Sequence, residues 1–365
     1  MNILCVIDNL GCGGAQRQLV ELGLGFKEKG HYVVFLTYHY LSFFDSVVEK
    51  AEISITCIQE PNYLKRLLKM RRFIRKGKFD AVLSFLEAPN FICEMAGLPY
   101  RNWKLVVGER NANPEITKSF KLKMYRWFHI LADYIVCNSS SNLKLVRRIN
   151  RIIPEKKCKV IFNIINFNYW KPIAGFSCRK SSKLNLVIPA SLTHKKNLIG
   201  LVEALLLLDE SDRGRIKIDW YGYMEEEADI NGSVSKALKK IETNGLENII
   251  NIHPATHDIR IIIQESDAIG LFSLYEGLPN ALCEGMACGK PVICSAVSDL
   301  TDLLSYDSNL LFDPYNPQSI KQTLSYLISL SNDQLSQIGL KNKIIAKEMF
   351  NREIIISDYL KLLSA

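Results

Sequence analysis

Short apolar runs alternate with amphipathic stretches along the whole chain of 365 residues. Apolar runs of about five residues are typical of strands buried on both faces, and a helical period is expected in the stretches between them. This alternation predicts a parallel α/β sheet. In the first half we expect strands near 2–8, 32–38, 80–85, 104–109 and 133–138, and helices near 14–28, 62–77, 118–131 and 139–147.

A second series of apolar runs follows a polar, irregular segment at 167–183, which is the best linker candidate. The strands of this series are expected at 184–189, 216–221, 249–252, 267–272 and 292–295. The predicted fold class is α/β, with two Rossmann-like, doubly wound parallel-sheet domains that face each other across a cleft. We expect these domains at 1–172 and 173–349, with a carboxyl-terminal helix near 350–365 that packs back on the first domain.

The composition, with 48% hydrophobic and 23% charged residues, is that of a globular protein. Residues 1–8 lack the basic flank and long apolar core of a signal peptide, and the apolar block 204–208 is too short to span a bilayer. Ten cysteines are scattered without CxxC pairs, which predicts reduced thiols rather than disulfides or a zinc site. We therefore expect a cytoplasmic protein.

The positive charge is concentrated in the first half of the chain. Residues 1–172 contain 27 Lys and Arg against 14 Asp and Glu, a balance of +13, whereas the remainder has a balance of −5. Basic amphipathic helices bind anionic membranes, although the same pattern also fits helices packed on a core with a solvated outer face. The charge favours the membrane, and the candidate membrane-facing residues are Lys65, Arg66, Lys69, Arg72, Lys76, Lys121 and Arg126. Nucleic acid is not an expected partner, because no binding motif for it is present.

The segment 273–292 contains the most specific pattern in the chain. An apolar run ends at Glu276, a Gly-Leu-Pro turn follows, and an amphipathic helix is expected from Asn280, which can cap it, to Gly289. Glu276 then lies in the loop before the helix, and Glu284 lies about one turn inside it. Backbone N–H groups at such a helix start favour phosphate.

The full string, with its Ala-Cys-Gly-Lys-Pro ending, resembles the donor-site signature of retaining GT-B glycosyltransferases, of the family 4 or "glycosyl transferases group 1" type found in bacterial surface-polysaccharide synthesis. The resemblance implies an acceptor-binding first domain and a donor-binding second domain. It also implies sugar transfer from a nucleotide sugar with retention of anomeric configuration, without a cofactor or an obligatory metal. Glu284 would bind the ribose hydroxyls of the nucleotide. Glu276 would lie at the donor sugar and phosphates, together with the backbone of Gly277, Leu278, Pro279 and Asn280.

Two further loops match the family in part. Gly13 and Gly14 follow the first strand, where the resemblance places a Gly-Gly pair against the donor phosphate and acceptor. After the strand 184–189, Lys196 matches the lysine that neutralises the leaving diphosphate, and a cation at that position is useful chemically. Ser191 replaces the usual arginine, so the second phosphate clamp is expected from Lys195 or from Arg110.

The loop 108–114 combines an acid, a cation and amides at a strand end. Arg110 is a candidate bidentate ligand for phosphate or for a sugar carboxylate, and Glu109 is a candidate base or hydroxyl anchor. An Arg–Glu pair that only braces the loop fits equally well.

The resemblance therefore implies a hexosyltransferase that uses a nucleotide-sugar donor, with a UDP-sugar favoured. The expected acceptor is a glycan, lipid-linked in the favoured interpretation, and the expected location is the inner face of the cytoplasmic membrane. Two alternatives remain: a nucleotide-sugar epimerase of the same architecture, and a non-catalytic sugar-nucleotide-binding subunit.

Overall fold

The structure is a computed structural model that describes residues 1–41, 43–173, 182–224 and 229–365. Part of the predicted linker, 174–181, lies outside the described residues. The chain divides into two compact units, of which the first contains Met1–Ile164 and Asn351–Ala365 and the second contains Ile165–Phe350.

The first unit is built on seven parallel strands in the order β3-β2-β1-β4-β5-β6-β7. The strand order therefore reverses between β1 and β4, and β1 is buried in the middle of the sheet. The strands are β1 (Asn2–Val6), β2 (Tyr32–Thr37), β3 (Ser54–Cys57), β4 (Ala81–Phe85), β5 (Lys104–Glu109), β6 (Tyr134–Cys137) and β7 (Cys158–Val160).

Helices connect these strands and cover the sheet, as parallel pairing requires. In the first of these helices, Leu19, Leu22 and Phe26 form a buried stripe that packs against the hydrophobic core. The helices are α1 (Gly14–Glu28), α2 (Asp45–Lys50), α3 (Tyr63–Lys76), α4 (Glu87–Ala96), α5 (Phe120–Phe128) and α6 (Ser140–Ile149).

The second unit has six parallel strands in the order β10-β9-β8-β11-β12-β13, with a reversal between β8 and β11. The strands are β8 (Leu184–Pro189), β9 (Ile216–Tyr221), β10 (Ile250–His253), β11 (Ala268–Leu271), β12 (Val292–Ser295) and β13 (Leu311–Phe312). The helices are α7 (Leu198–Leu207), α8 (Glu210–Gly214), α9 (Ser233–Thr243), α10 (Ile259–Glu265), α11 (Asn280–Ala287), α12 (Leu300–Leu303), α13 (Pro317–Ser329) and α14 (Asn332–Met349).

The last helix, α15 (Arg352–Ser364), belongs to the first unit. Ile355, Ile356 and Tyr359 are buried in the same hydrophobic cluster as β1 and α1. Arg352 adds a surface ion pair, because its Nη1 lies 2.6 Å from a carboxylate oxygen of Glu28. The carboxyl-terminal end of the chain thus completes the core of the amino-terminal unit.

The predicted strands are confirmed, while the short strands β3, β7 and β13 were not predicted. The predicted capping role of Asn280 is wrong, because Asn280 is the first residue of α11 and extended Pro279 precedes it. Gly289 has a φ of +71°, which suits glycine just after a helix.

Two negative findings concern the described residues only. No helix among them is both long and apolar enough to cross a membrane. No group of three or more His, Cys, Asp and Glu side chains in the same part of the chain is arranged to hold a metal ion.

Candidate active site

The loops after β8 and β11 meet where the strand order of the second unit reverses. Open α/β sheets bind ligands beyond the carboxyl ends of the strands at such a reversal. Lys195 and Lys196 follow β8, and Glu276 follows β11. Lys196 Nζ donates to Glu276 Oε1 at 2.5 Å, and Lys195 Nζ lies 3.4 Å from Glu276 Oε2. The structure thus joins three predicted site residues in one ion triad.

The triad fixes the charge of Glu276, whose side chain is only 8% exposed. Burial would raise the pKa of this carboxyl, but Lys196 and Lys195 outweigh burial and lower the pKa to about 2. Burial also lowers the pKa of Lys195, and Glu276 partly offsets that effect. Two lysines and one carboxylate give the triad a formal net charge of +1, which suits an anionic ligand.

The backbone around the two lysines is held from several sides. Leu274 N donates to Lys195 O at 2.9 Å, which ties the β11 loop directly to the β8 loop. Asn197, with a φ of +60°, caps α7 by accepting from Gly200 N and also donates to Pro314 O at 2.8 Å. These contacts place both lysines in a defined turn rather than on a free loop.

Ser191 lies half-buried in the same loop, and its carbonyl oxygen accepts from Thr193 N at 3.1 Å. The neighbouring Ala190 is in close contact with Gly222 at the end of β9, where a Cβ would collide with the Ala190 carbonyl oxygen. Glycine is therefore required at 222 by space. The sequence did not single out this position.

The turn after Glu276 is buried at Gly277, Leu278 and Pro279, and α11 begins directly after it. Ser298, in the loop after β12, donates from Oγ to Gly277 O at 2.8 Å and has a φ of +57°. Such strained positions occur often at functional sites. Nothing in the sequence around Ser298 signals this role.

Glu284 is the fifth residue of α11 and is buried, with 4% of its surface exposed. Glu276 and Glu284 therefore belong to one strand–turn–helix element, as the motif predicts. The assignment of Glu284 to ribose stays a prediction.

In the first unit, Gly13 and Gly14 form the start of α1 directly after the β1 loop. Gly13 has a φ of −87°, so its backbone conformation does not require glycine. The loop is closed by Gly11 N donating to Asn9 Oδ1 and by Gln16 Nε2 donating to Asp8 Oδ1 at 3.0 Å. A ligand contact at the two glycines stays a prediction.

Glu109 belongs to a buried chain of ions below the strand ends. Its Oε2 accepts from Arg126 at 2.6 Å, and its Oε1 lies 2.9 Å from His129 Nε2. Burial would raise the pKa of Glu109, but Arg126 and His129 keep it below its usual value. Because only 1% of Glu109 is exposed and both of its partners are fully buried, this arrangement does not offer the carboxylate to a substrate as a base or a hydroxyl anchor. An Arg–Glu pair is present at this loop, but Glu109 forms it with Arg126 rather than with Arg110.

Arg110 is held by neutral groups. Its guanidinium donates to Asn163 Oδ1 at 3.0 Å and to Tyr359 OH at 2.5 Å, and it lies 4.0 Å from the centre of the Phe85 ring. Neither partner was suggested by the sequence, because Tyr359 is 249 residues away in α15. A role for Arg110 as a phosphate ligand stays a prediction.

The basic residues proposed to face a membrane fall into three groups. Arg126 is fully buried between Glu87 and Glu109, so its predicted membrane contact is wrong. Arg66 is half-buried over the ring of Tyr38. The others are exposed, namely Lys65, Lys69, Arg72, Lys76 and Lys121.

Two leucines on α3 lie among these exposed cations. Leu64 is 67% exposed and Leu68 is 63% exposed, so α3 presents both apolar and basic groups to solvent. Arg71 and Arg75 are different, because they donate to the carbonyl groups of Met95 and Ala96 at the end of α4.

Comparison with known families decides the class of the chain. Residues 177–342 match the family model described as Glycosyl transferases group 1, and residues 12–169 match the model described as Glycosyltransferase Family 4. The chain belongs to these glycosyltransferases. The predicted family and the predicted enzyme class are thereby confirmed, whereas retention of anomeric configuration stays a prediction.

Two curated relatives of the glycosyltransferase come from Campylobacter jejuni. One is 26% identical over 310 residues (81% of this chain and 79% of the relative) and is an N-acetylgalactosamine-N,N'-diacetylbacillosaminyl-diphospho-undecaprenol 4-alpha-N-acetylgalactosaminyltransferase. The other is 23% identical over 297 residues (78% of this chain and 77% of the relative) and is an alpha-1,4-N-acetyl-D-galactosaminyltransferase named for a GalNAc-containing PP-undecaprenol glycan.

Solved structures share the fold of the glycosyltransferase. HepE of Anabaena, in complex with UDP and glucose, aligns with a TM-score of 0.86 at 17% identity and covers 100% of this chain and 99% of its own. TarM aligns with a TM-score of 0.80 at 11% identity, with 100% and 99% coverage. The predicted pair of Rossmann-like, parallel-sheet domains of the GT-B class is confirmed.

Proposed function

We propose that this glycosyltransferase transfers a sugar from a UDP-sugar to a glycan carried on a lipid diphosphate, with retention of anomeric configuration. The observation that carries the proposal is the Lys195–Lys196–Glu276 triad at the strand reversal of the second unit. In such a triad the carboxylate can accept hydrogen bonds from sugar hydroxyls, and the two cations can bind the negatively charged diphosphate.

The triad suggests how the contacts in the site change when the donor binds and reacts. As the sugar–phosphate bond breaks, negative charge develops on the leaving diphosphate, and a positioned cation stabilises it. Lys196 Nζ exchanges part of its contact with Glu276 for a phosphate oxygen, and Glu276 then accepts from hydroxyls of the donor sugar. Glu284, inside α11, accepts from the ribose diol. Lys195 and Lys196 supply the positive charge, so the proposal needs no metal or cofactor.

The nature of the two substrates is supported by the relatives. The HepE structures contain UDP, and both Campylobacter relatives are named for undecaprenol-linked glycans. Retention is supported by the resemblance of the Glu276–Glu284 string to retaining enzymes. The exposed Leu64, Leu68 and cations of α3 suit an anionic membrane surface, so we place the protein peripherally on the cytoplasmic face of the membrane.

The proposal is tested first by thermal stabilisation with UDP-, GDP- and dTDP-sugars, since a ligand that binds the folded state raises the melting temperature. The stabilising donor is then incubated, with label in its sugar, with membrane lipid extract. Label in the lipid fraction supports transfer. Epimerised free donor indicates an epimerase, and binding without turnover indicates a non-catalytic subunit.

The donor site itself is tested with Lys196→Ala and Glu284→Ala. Each is expected to lower the transfer rate by about 100-fold or more, because each removes a group that contacts the donor, while both variants still fold. Lys240→Ala is the matched control, since Lys240 pairs with Glu203 on the surface of the same unit at 2.8 Å. Near-normal rates in both site variants would contradict the donor-site assignment.

A further inference from the structure

A strained residue lies at the strand reversal of the first unit. Leu86 follows β4 and has a φ of +76° and a ψ of 157°, a conformation rarely adopted by residues other than glycine. The turn is held by Leu86 N donating to Gly108 O and by Asn90 Nδ2 donating to the same oxygen at 3.0 Å. The strain places the next residue, Glu87, at the carboxyl edge of the sheet, where ligands of such sheets bind.

Glu87 is oriented by two donors. Its Oε1 accepts from Asn111 Nδ2 at 3.0 Å and from Arg126 at 3.2 Å. The side chain remains 18% exposed. Among the described residues, Oε2 has no hydrogen-bond partner, so one oxygen fixes the carboxylate and the other remains available.

Below Glu87, charges alternate into the interior of the unit. Arg126 joins Glu87 to Glu109, and His129 joins Glu109 to Glu94 at 2.9 and 2.6 Å. All members of this ion chain except Glu87 are at most 1% exposed. Glu87 is thus the accessible end of an otherwise buried arrangement that fixes the position of its carboxylate relative to β4 and β5.

We propose that Glu87 is a specificity-determining residue that binds a hydroxyl of the acceptor glycan through Oε2. The assignment rests on the proposed function, because it assumes that the first unit binds the acceptor. Because an amide and a guanidinium hold Oε1, Oε2 can accept a hydrogen bond from a hydroxyl group without reorganisation of the carboxylate. The Gly13–Gly14 loop follows β1 on the other side of the same reversal.

A purely structural role makes a different prediction. Glu87 is the first residue of α4, where an acid stabilises the helix start, and it also neutralises Arg126. If that were its only role, its replacement would affect the turnover of every acceptor equally.

The test compares wild type with Glu87→Gln, which keeps the shape of the side chain. The kcat/KM is measured for the parent lipid-linked acceptor and for analogues that each lack one sugar hydroxyl. Glu87→Gln is expected to lower kcat/KM for the parent by about 10-fold or more, and to have little effect with one particular deoxy analogue. Donor KM and thermal stabilisation by UDP are expected to be unchanged. Glu115→Gln is the control, because Glu115 pairs with Lys118 on the exposed surface of the same unit.

The outcomes distinguish a failure of the Glu87 assignment from a failure of the proposed transferase function. An equal loss with all analogues, or no loss, would overturn the assignment of Glu87 while leaving the transferase function intact. Failure of the wild type to transfer sugar to any lipid-linked acceptor would overturn the proposed function and the assignment with it. If Glu87→Gln melts at a much lower temperature, Glu87→Asp keeps the charge, and the same dependence on one hydroxyl is then expected with a smaller loss.

Discussion

Replacement of Glu276 by glutamine tests the electrostatics of the ion triad directly. The pKa of this carboxyl is lowered from 4.5 to about 2 in the folded protein. That change corresponds to about 3 kcal/mol of stability at neutral pH, an order-of-magnitude value for a buried pair. Glutamine keeps the shape but not the charge, so Glu276→Gln is expected to destabilise the second unit by roughly this amount at pH 7.

The dependence on pH has a defined sign. A carboxyl whose folded pKa is lowered contributes fully above its unfolded pKa of 4.5 and loses its contribution as pH falls through the folded value of about 2. The difference between wild type and variant should therefore stay near its full size down to about pH 5 and shrink to about 2 kcal/mol near pH 3.5.

The assay is urea unfolding at a series of pH values, followed by tryptophan fluorescence, with buried Trp220 as a reporter in the second unit. Glu203→Gln is the matched control, because its pair with Lys240 is about 40% exposed on each side and is expected to contribute less than about 1 kcal/mol. A Glu276→Gln effect below about 1 kcal/mol at pH 7, or one that does not change with pH, would refute the reasoning.

Two further predictions concern the first unit. Burial would lower the pKa of His129, but Glu94 and Glu109 raise it to about 9, so its contribution is complete below about pH 6.5 and is lost as pH rises through about 9. The melting temperature of the wild type should fall over this interval and that of His129→Gln should not; parallel curves would contradict the ion-chain description. Replacing four exposed cations of α3 by glutamine should lower the affinity for anionic vesicles by about 100-fold or more, because each charge contributes about 1 kcal/mol. The affinity is measured by co-sedimentation. The combined substitutions are Lys65→Gln, Lys69→Gln, Arg72→Gln and Lys76→Gln. Neutralising Lys236 and Lys239, exposed on α9 of the second unit, should leave binding unchanged, and equal losses in both sets would contradict a specific role for α3.

The strands could be predicted where burial on both faces leaves an unbroken apolar run, as in β1 and β11. The strand β13 could not, because its two residues, Leu311 and Phe312, are too few to form a pattern. The family resemblance implied that Lys196 and Glu276 both lie at the donor. Their direct contact depends on β8 lying beside β11, which local sequence does not reveal.

Arg126 shows the limit of pattern reasoning about charge. It lies among lysines and exposed aromatic residues in a basic amphipathic helix, which favoured a solvated position. Its partners, Glu109 and Glu87, are 17 and 39 residues away and reach it only through the packing of α4 and β5 against α5. Charge counts along the chain therefore overstated the basic surface of the first unit. The same distant pairing explains why Glu109 was expected to be accessible.

Because α15 belongs to the first unit, it affects how this enzyme folds during its synthesis. The second unit is one continuous stretch of chain, whereas the first unit begins with residue 1 and ends with residue 365. While the ribosome is still translating, Ile355, Ile356 and Tyr359 are missing from the amino-terminal core, so the apolar surface they cover remains open to solvent. The domain that is translated first is therefore completed last. Truncation of the final fifteen residues would damage the amino-terminal domain rather than the second unit that precedes them in the chain.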